Sequence, residues 1–168
     1  MQLFQCQFCG NIVYFENEKC ERCGHRLAYR PESTRVVALE PSGDNQWRLV
    51  AGDEAPRFLC ANADFLVCNW LAPADGSGRY CLACRHNGTI PDISDPTHLA
   101  QWREIERAKH RLFYSLLRWG LPLKTRSEDP QHGLAFEFLA DPPLNAGPKI
   151  MTGHDEGVIT IALSEADT

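Results

Sequence analysis

The sequence predicts an α+β fold, with two small four-cysteine modules ahead of one long helix and C-terminal β-hairpin strands. Three observations carry that prediction. All eight cysteines lie in the first half of the 168-residue chain and divide into two sets of four. An apolar repeat of three and four runs through residues 99–116. After residue 133, apolar and polar residues alternate between turn signals.

The first set reads Cys6-x2-Cys9-x10-Cys20-x2-Cys23. Each C-x-x-C pair turns two thiolates from one tight knuckle toward a common point, and two knuckles joined by a short hairpin complete a tetrahedral S4 cage suited to structural zinc. Gly10 and Gly24 each follow the second cysteine of a pair, where the knuckle must turn and a Cβ would clash. Disulfides or unrelated buried thiols are the plain alternatives. Iron is the chemical rival, since the same ligands serve it in rubredoxin-like cages, although those cages use longer loops than x10.

The second set is Cys60-x7-Cys68-x12-Cys81-x2-Cys84, in which only Cys81 and Cys84 form a regular knuckle. Eight ligands make two S4 sites with none left over, so two structural zinc ions are expected. Sequential ligation is the simpler arrangement and cross-bracing the alternative. Four thiolates close the coordination sphere, so neither site is expected to be catalytic. Each is expected to staple a segment too small to bury a core of its own.

Residues 1–31 are expected to form the first zinc ribbon, with a β-prone stretch (Ile12 to Phe15) between the knuckles. Residues 32–90 are expected to hold a hairpin, with strands at 34–39 and 46–50 around a 41–45 turn, and then the second cysteine module. Residues 91–168 are expected to hold the helix and the last strands. Asp95-Pro96 marks the helix start, and Gly120 and Pro122 mark its stop. Leu99, Trp102, Ile105, Leu112, Phe113 and Leu116 would form its inner stripe, with Arg103, Glu104, Arg107, His110 and Arg111 on a solvated face. A strand is expected at 134–139. Beyond it, a hairpin pairs 149–152 with 158–163 across a 153–157 turn. The final Ser164-Glu165-Ala166-Asp167 has the pattern of a helix start, so the chain is expected to be the front portion of something longer.

A hydrophobic fraction of 43% with 23% charged residues is normal for a globular protein, and the net charge of −5 argues against nucleic acid as a partner. The first residues have neither the basic nor the apolar region of a signal peptide. No stretch approaches the length of a membrane span. Thiolate-rich sites without an export signal are expected in a reducing cytoplasm.

Taken in order, Cys6-Gln7-Phe8-Cys9-Gly10, Cys20-Glu21-Arg22-Cys23-Gly24, Cys68-Asn69-Trp70-Leu71, Cys81-Leu82-Ala83-Cys84-Arg85, Gly133 to Phe138 and Thr152-Gly153-His154 form a recognisable series. Over essentially its whole length the chain resembles the bacterial family of zinc-binding metallopeptidases with an N-terminal zinc ribbon. The resemblance implies a catalytic H-E-x-x-H helix beyond Thr168 and an edge strand that pairs with extended substrate, for which Val158 to Leu163 is the candidate. No H-E-x-x-H occurs in these residues, and His25, His86, His98, His110, His132 and His154 are isolated from one another. His154 and Glu156 together offer too few ligands for a catalytic metal. No catalytic residue is therefore assigned, and the chain alone is expected to be inactive as a peptidase.

The leading expectation is a non-catalytic region whose zinc modules serve scaffolding or recognition. The alternative is a self-sufficient binding module. The C-x2-C-x10-C-x2-C spacing is also that of RanBP2-type fingers, which bind ubiquitin or single-stranded RNA, although Phe4 stands where those fingers carry tryptophan. Phe8, Tyr14 and Phe15 are the contact candidates for an unknown protein or peptide partner.

Overall fold

The computed structural model describes residues 2–52, 55–143 and 146–167. It divides into two compact units, Met1–Cys84 and Arg85–Thr168. The predicted α+β class is what the chain adopts.

In the first unit, β1 (Phe4–Gln5) pairs antiparallel with β2 (Ile12–Val13) across the first knuckle. A three-stranded antiparallel sheet follows, in the order β3 (Arg26–Arg30), β4 (Arg35–Gly43), β5 (Gln46–Leu49). Val36, Val37, Ala38 and Leu39 are all buried, so β4 is covered on both faces rather than on one. Ala28, Val37, Leu39, Leu49 and Leu71 pack together on one face. On the other, Tyr29 meets Phe15 and Trp70 at ring separations of 4.9 and 4.5 Å. The predicted hairpin is present but differs at its tip. β4 runs on through Pro41 and Ser42 with a register shift, and only Asp44 and Asn45 turn. Asn45 takes the left-handed conformation (φ 55°) that the two-residue turn demands.

The second unit contains α1 (Pro96–Arg118) and a four-stranded mixed sheet in the order β6 (Asn87–Thr89), β7 (Ala135–Leu139), β9 (Val158–Ala162), β8 (Gly153–Asp155). β6, β7 and β9 run parallel, and β8 is antiparallel to β9. Asp95 caps the helix by accepting from the amides of Thr97 (2.7 Å) and His98 (3.4 Å). At the other end Gly120, at φ 67°, lets its own amide reach Leu117 O and that of Leu121 reach Leu116 O, both at 3.1 Å.

Three expectations for this unit are corrected. First, the inner face of α1 is Trp102, Ile105, Glu106, Lys109, His110, Phe113 and Tyr114. Leu112 is 41% exposed, and His110 lies inside rather than on the solvated face. One residue advances a helix by about 100°, so a stripe centred on 102, 106, 109 and 113 leaves 112 outside. Second, the hairpin turn is Glu156-Gly157, with φ 43° and 89°, which makes Gly153–Asp155 a strand instead of a loop. Third, β9 is bonded on both sides, so Val158 to Leu163 is not an edge; β8 occupies that position. Among the described residues no helix is long and apolar enough to cross a membrane.

Candidate metal centres

The knuckles of the first cluster are built alike. Cys6 N donates to Asn11 O and Gly10 N to Cys6 O, at 2.9 and 2.8 Å; Cys20 N donates to His25 O and Gly24 N to Cys20 O, at the same distances. Gly10 and Gly24 sit at φ 72° and 80°, and a Cβ on either would meet nothing within 4 Å. Backbone conformation, not space, is therefore what calls for glycine there. The pattern brings the sulfurs of Cys6, Cys9, Cys20 and Cys23 within 4.8 Å of one another. Cys6–Cys23 and Cys9–Cys20 are each 3.6 Å apart.

The second cluster joins Cys60, Cys68, Cys81 and Cys84, again within 4.8 Å and all buried. Cys60 and Cys68 are contributed by irregular chain: a 3-10 turn (Ala61–Phe65) follows Cys60 and ends at Leu66 in the left-handed conformation. Backbone amides point at its sulfurs, from Trp70 to Cys68, from Cys81 to Cys60 and from Cys84 to Cys81, at 3.3, 3.3 and 3.4 Å. The cysteines thus group sequentially rather than cross-braced.

Donor chemistry and spacing both fit a tetrahedral metal. Zn–S bonds of about 2.3 Å imply sulfur–sulfur edges of about 3.8 Å. The 3.6 Å separations match those edges and far exceed a disulfide bond of about 2.05 Å. All eight thiols are free. Burial raises the Cys20 thiol, but hydrogen bonds from the Cys23 and Arg22 backbone outweigh that and bring it down to about 6. At Cys23 a hydrogen bond from the His25 backbone pulls down, yet burial and the thiols of Cys9, Cys20 and Cys6 push it up to about 12. Burial drives Cys68 and Cys81 well above the ordinary thiol value. Four sulfurs crowded in this way can ionise together only with a cation among them.

The histidines are dispersed. His25 stacks on Phe8 at 4.0 Å and lies 3.7 Å from Glu40. His86 is buried, with Nδ1 2.9 Å from Leu134 O, and burial lowers its pKa. His98 and His132 sit 3.9 and 3.6 Å from Asp95 and Asp129. His154 is exposed on β8. His110 Nδ1 lies 2.6 Å from Glu106 O. Of the three recognition candidates, Phe8 and Tyr14 are 57% and 60% exposed, whereas Phe15 is buried in the core.

One polar cluster in the second unit escaped the sequence reading. Glu106 accepts from Asn87 Nδ2 (2.7 Å) and Lys109 Nζ (2.8 Å), and Lys109 also bonds Asn87 Oδ1. Its only signal is that positions 106 and 109 fall on the helical phase of Trp102 and Phe113.

Comparison with known proteins agrees with this geometry. A zinc-ribbon domain family matches residues 3–95, and the family described as "Putative zinc-binding metallo-peptidase" matches residues 98–168. Uncharacterized proteins of Mycobacterium bovis and of two Mycobacterium tuberculosis strains are each 38% identical over 167 residues, 99% of this chain and 44% of theirs. The chain thus spans less than half the length of the curated relatives it matches. No solved structure matches it. With one four-cysteine cluster behind paired knuckles and a second close after it, the chain belongs to the zinc-ribbon family, and its zinc-ribbon domain is followed by a zinc-binding metallo-peptidase family segment.

Proposed function

We propose that each cysteine cluster holds one structural zinc ion, the first through Cys6, Cys9, Cys20 and Cys23, the second through Cys60, Cys68, Cys81 and Cys84. Bound zinc would supply cross-linking energy and neutralise the thiolates. In this reading residues 1–168 are a non-catalytic, cytoplasmic region of a metallopeptidase-family protein, partitioned as 1–31, 32–90 and 91–168, that scaffolds or recognises. The observation that carries it is the closure of both cages by four sulfurs within 4.8 Å, which leaves no ligand position for water or substrate. Native mass spectrometry of the purified chain tests it directly. Two zinc ions per chain is the expected result; one metal, iron, or disulfides in freshly purified material would refute it.

A second reading, a self-sufficient binding module, rests on Phe8 and Tyr14, which the first ribbon leaves exposed instead of packing into its core. Its partner would be a protein or peptide. If Phe8→Ala and Tyr14→Ala leave every captured partner bound, that reading fails.

A further inference from the structure

The first unit contains a cavity of about 420 Å³ against the second cysteine cluster, lined by Trp47, Phe58, Leu59, Asp64, Pro73 and Arg79 among others. Its walls are pinned by backbone. Trp47 and Arg57 exchange both hydrogen bonds, at 2.8 and 2.7 Å, and Ala61 N donates to Arg79 O at 2.9 Å. Leu59 pairs with Leu71. Gly76, at φ 71°, turns the loop that closes the remaining side, and Asp75 holds that turn by accepting from Ser77 N at 2.9 Å. The volume falls within the ~300–1,000 Å³ usual for small-ligand sites.

The lining has a distinctive chemistry. Trp47 and Phe58 are aromatic walls, and Phe58 is 48% exposed. Asp64 and Arg79 bring opposite charges to the same cavity. Among the described residues neither makes a side-chain hydrogen bond or ion pair, with the other or with anything else. A purely apolar guest would desolvate both charges without compensation. A phosphate-bearing guest would meet the Asp64 carboxylate. A guest that carries an ammonium, a carboxylate and an apolar group satisfies all three features at once.

We propose that this cavity binds a small zwitterion that carries an apolar side chain, the class to which free amino acids and dipeptides belong. Its apolar side chain lies against Trp47 and Phe58, its carboxylate on Arg79 and its ammonium on Asp64. The assignment does not depend on the identity of the bound metal or on the peptidase family.

The test is calorimetric titration of the full chain, purified with its metal, using the dipeptide leucyl-phenylalanine. The N-acetylated and C-amidated forms serve as comparators. Saturable binding of the free dipeptide is expected, weakened about tenfold by either block, equivalent to about 1.4 kcal/mol. Arg79→Ala should bind the acid and the amide equally while still rejecting the acetylated form, and Asp64→Asn should show the reverse. Both side chains are exposed, so the variants should keep the metal content and circular dichroism of the parent. Equal binding of free and blocked dipeptides would overturn the proposal and point to an internal segment of a longer chain instead. Absence of binding up to about 10 mM would overturn it outright.

Discussion

Lys109 places its ammonium 2.8 Å from a carboxylate oxygen of Glu106, three residues earlier on α1, and the two side chains are only 1% and 0% exposed. Asn87 of β6 bonds both partners, and the same ammonium stands 5.4 Å from the ring centroids of Phe136 and Phe138 on β7. One charge pair therefore ties the helix to two strands of the sheet. It is polar wiring in a position that an aliphatic contact would ordinarily occupy.

Breaking that pair from one side should be worse than removing it. Glu106→Ala leaves an ammonium buried among aromatic rings and should cost about 3–5 kcal/mol. The double change Glu106→Leu, Lys109→Met replaces the pair with apolar volume and should recover most of that loss. Urea unfolding of the three proteins checks this, and additive losses in the double variant would show that the two residues are not coupled.

The contrast explains what could be read in advance. The first cysteine set and the Cys81–Cys84 pair were legible because metal knuckles are local, with their spacing written into adjacent residues, whereas Cys60 and Cys68 were legible only because eight ligands make two sites with none left over. The α1 boundaries were legible because Asp95, Pro96 and Gly120 act within one turn of themselves. The pairing of Glu106 with Asn87 was not, because it links residues 19 apart that carry no shared motif. β3 was missed because only Leu27, Ala28 and Tyr29 are apolar between charged neighbours, and both of its faces are covered by segments distant in sequence. Parallel pairing of β7 with β9 likewise leaves no local signature.

Loss of one ligand should empty one cage and spare the other. Cys23→Ser should lower the zinc ratio from two to one and loosen residues 4–25 to hydrogen exchange. Cys68→Ser should do the same around residues 58–84. Structural zinc contributes apparent binding energies of about 10–16 kcal/mol in small fingers, more than segments of this size gain by burial. A variant that retained two tightly held ions would contradict the assignment of the substituted cysteine as a required ligand.

Glu128 should give the second unit a measurable acid sensitivity. Its carboxylate accepts from Thr125 N at 2.8 Å and Thr125 Oγ1 at 2.9 Å, and the Thr125 backbone bond holds its pKa below the ordinary 4.5. A carboxyl depressed in the folded state stabilises above its unfolded pKa and loses that contribution as pH falls through the folded value. The melting temperature of the parent should therefore exceed that of Glu128→Gln near pH 6, and the gap should narrow below about pH 4.5. A gap that stayed constant with pH would assign the effect to packing instead.

Two glycines in the second unit should tolerate no side chain, while a third should. A Cβ on Gly133 would collide with the backbone carbonyl oxygens of Thr125 and Asp129. One on Gly157 would lie 2.7 Å from Gly133 O, at a φ of 89° that already disfavours it. These approaches exist because the 125–133 loop folds back on itself, with Gly133 N bonded to Asp129 O at 2.7 Å. Arg126 then joins it to the β8–β9 turn through Glu156 O at 2.8 Å. Gly153→Ala, by contrast, meets nothing within 4 Å. Gly133→Ala and Gly157→Ala should each cost more than about 2 kcal/mol, from backbone displacement at the first and added dihedral strain at the second. Gly153→Ala should stay within about 0.5 kcal/mol of the parent. Thermal melts of the three variants separate the cases, and a neutral Gly133→Ala would mean that the loop does not close on Asp129 in solution.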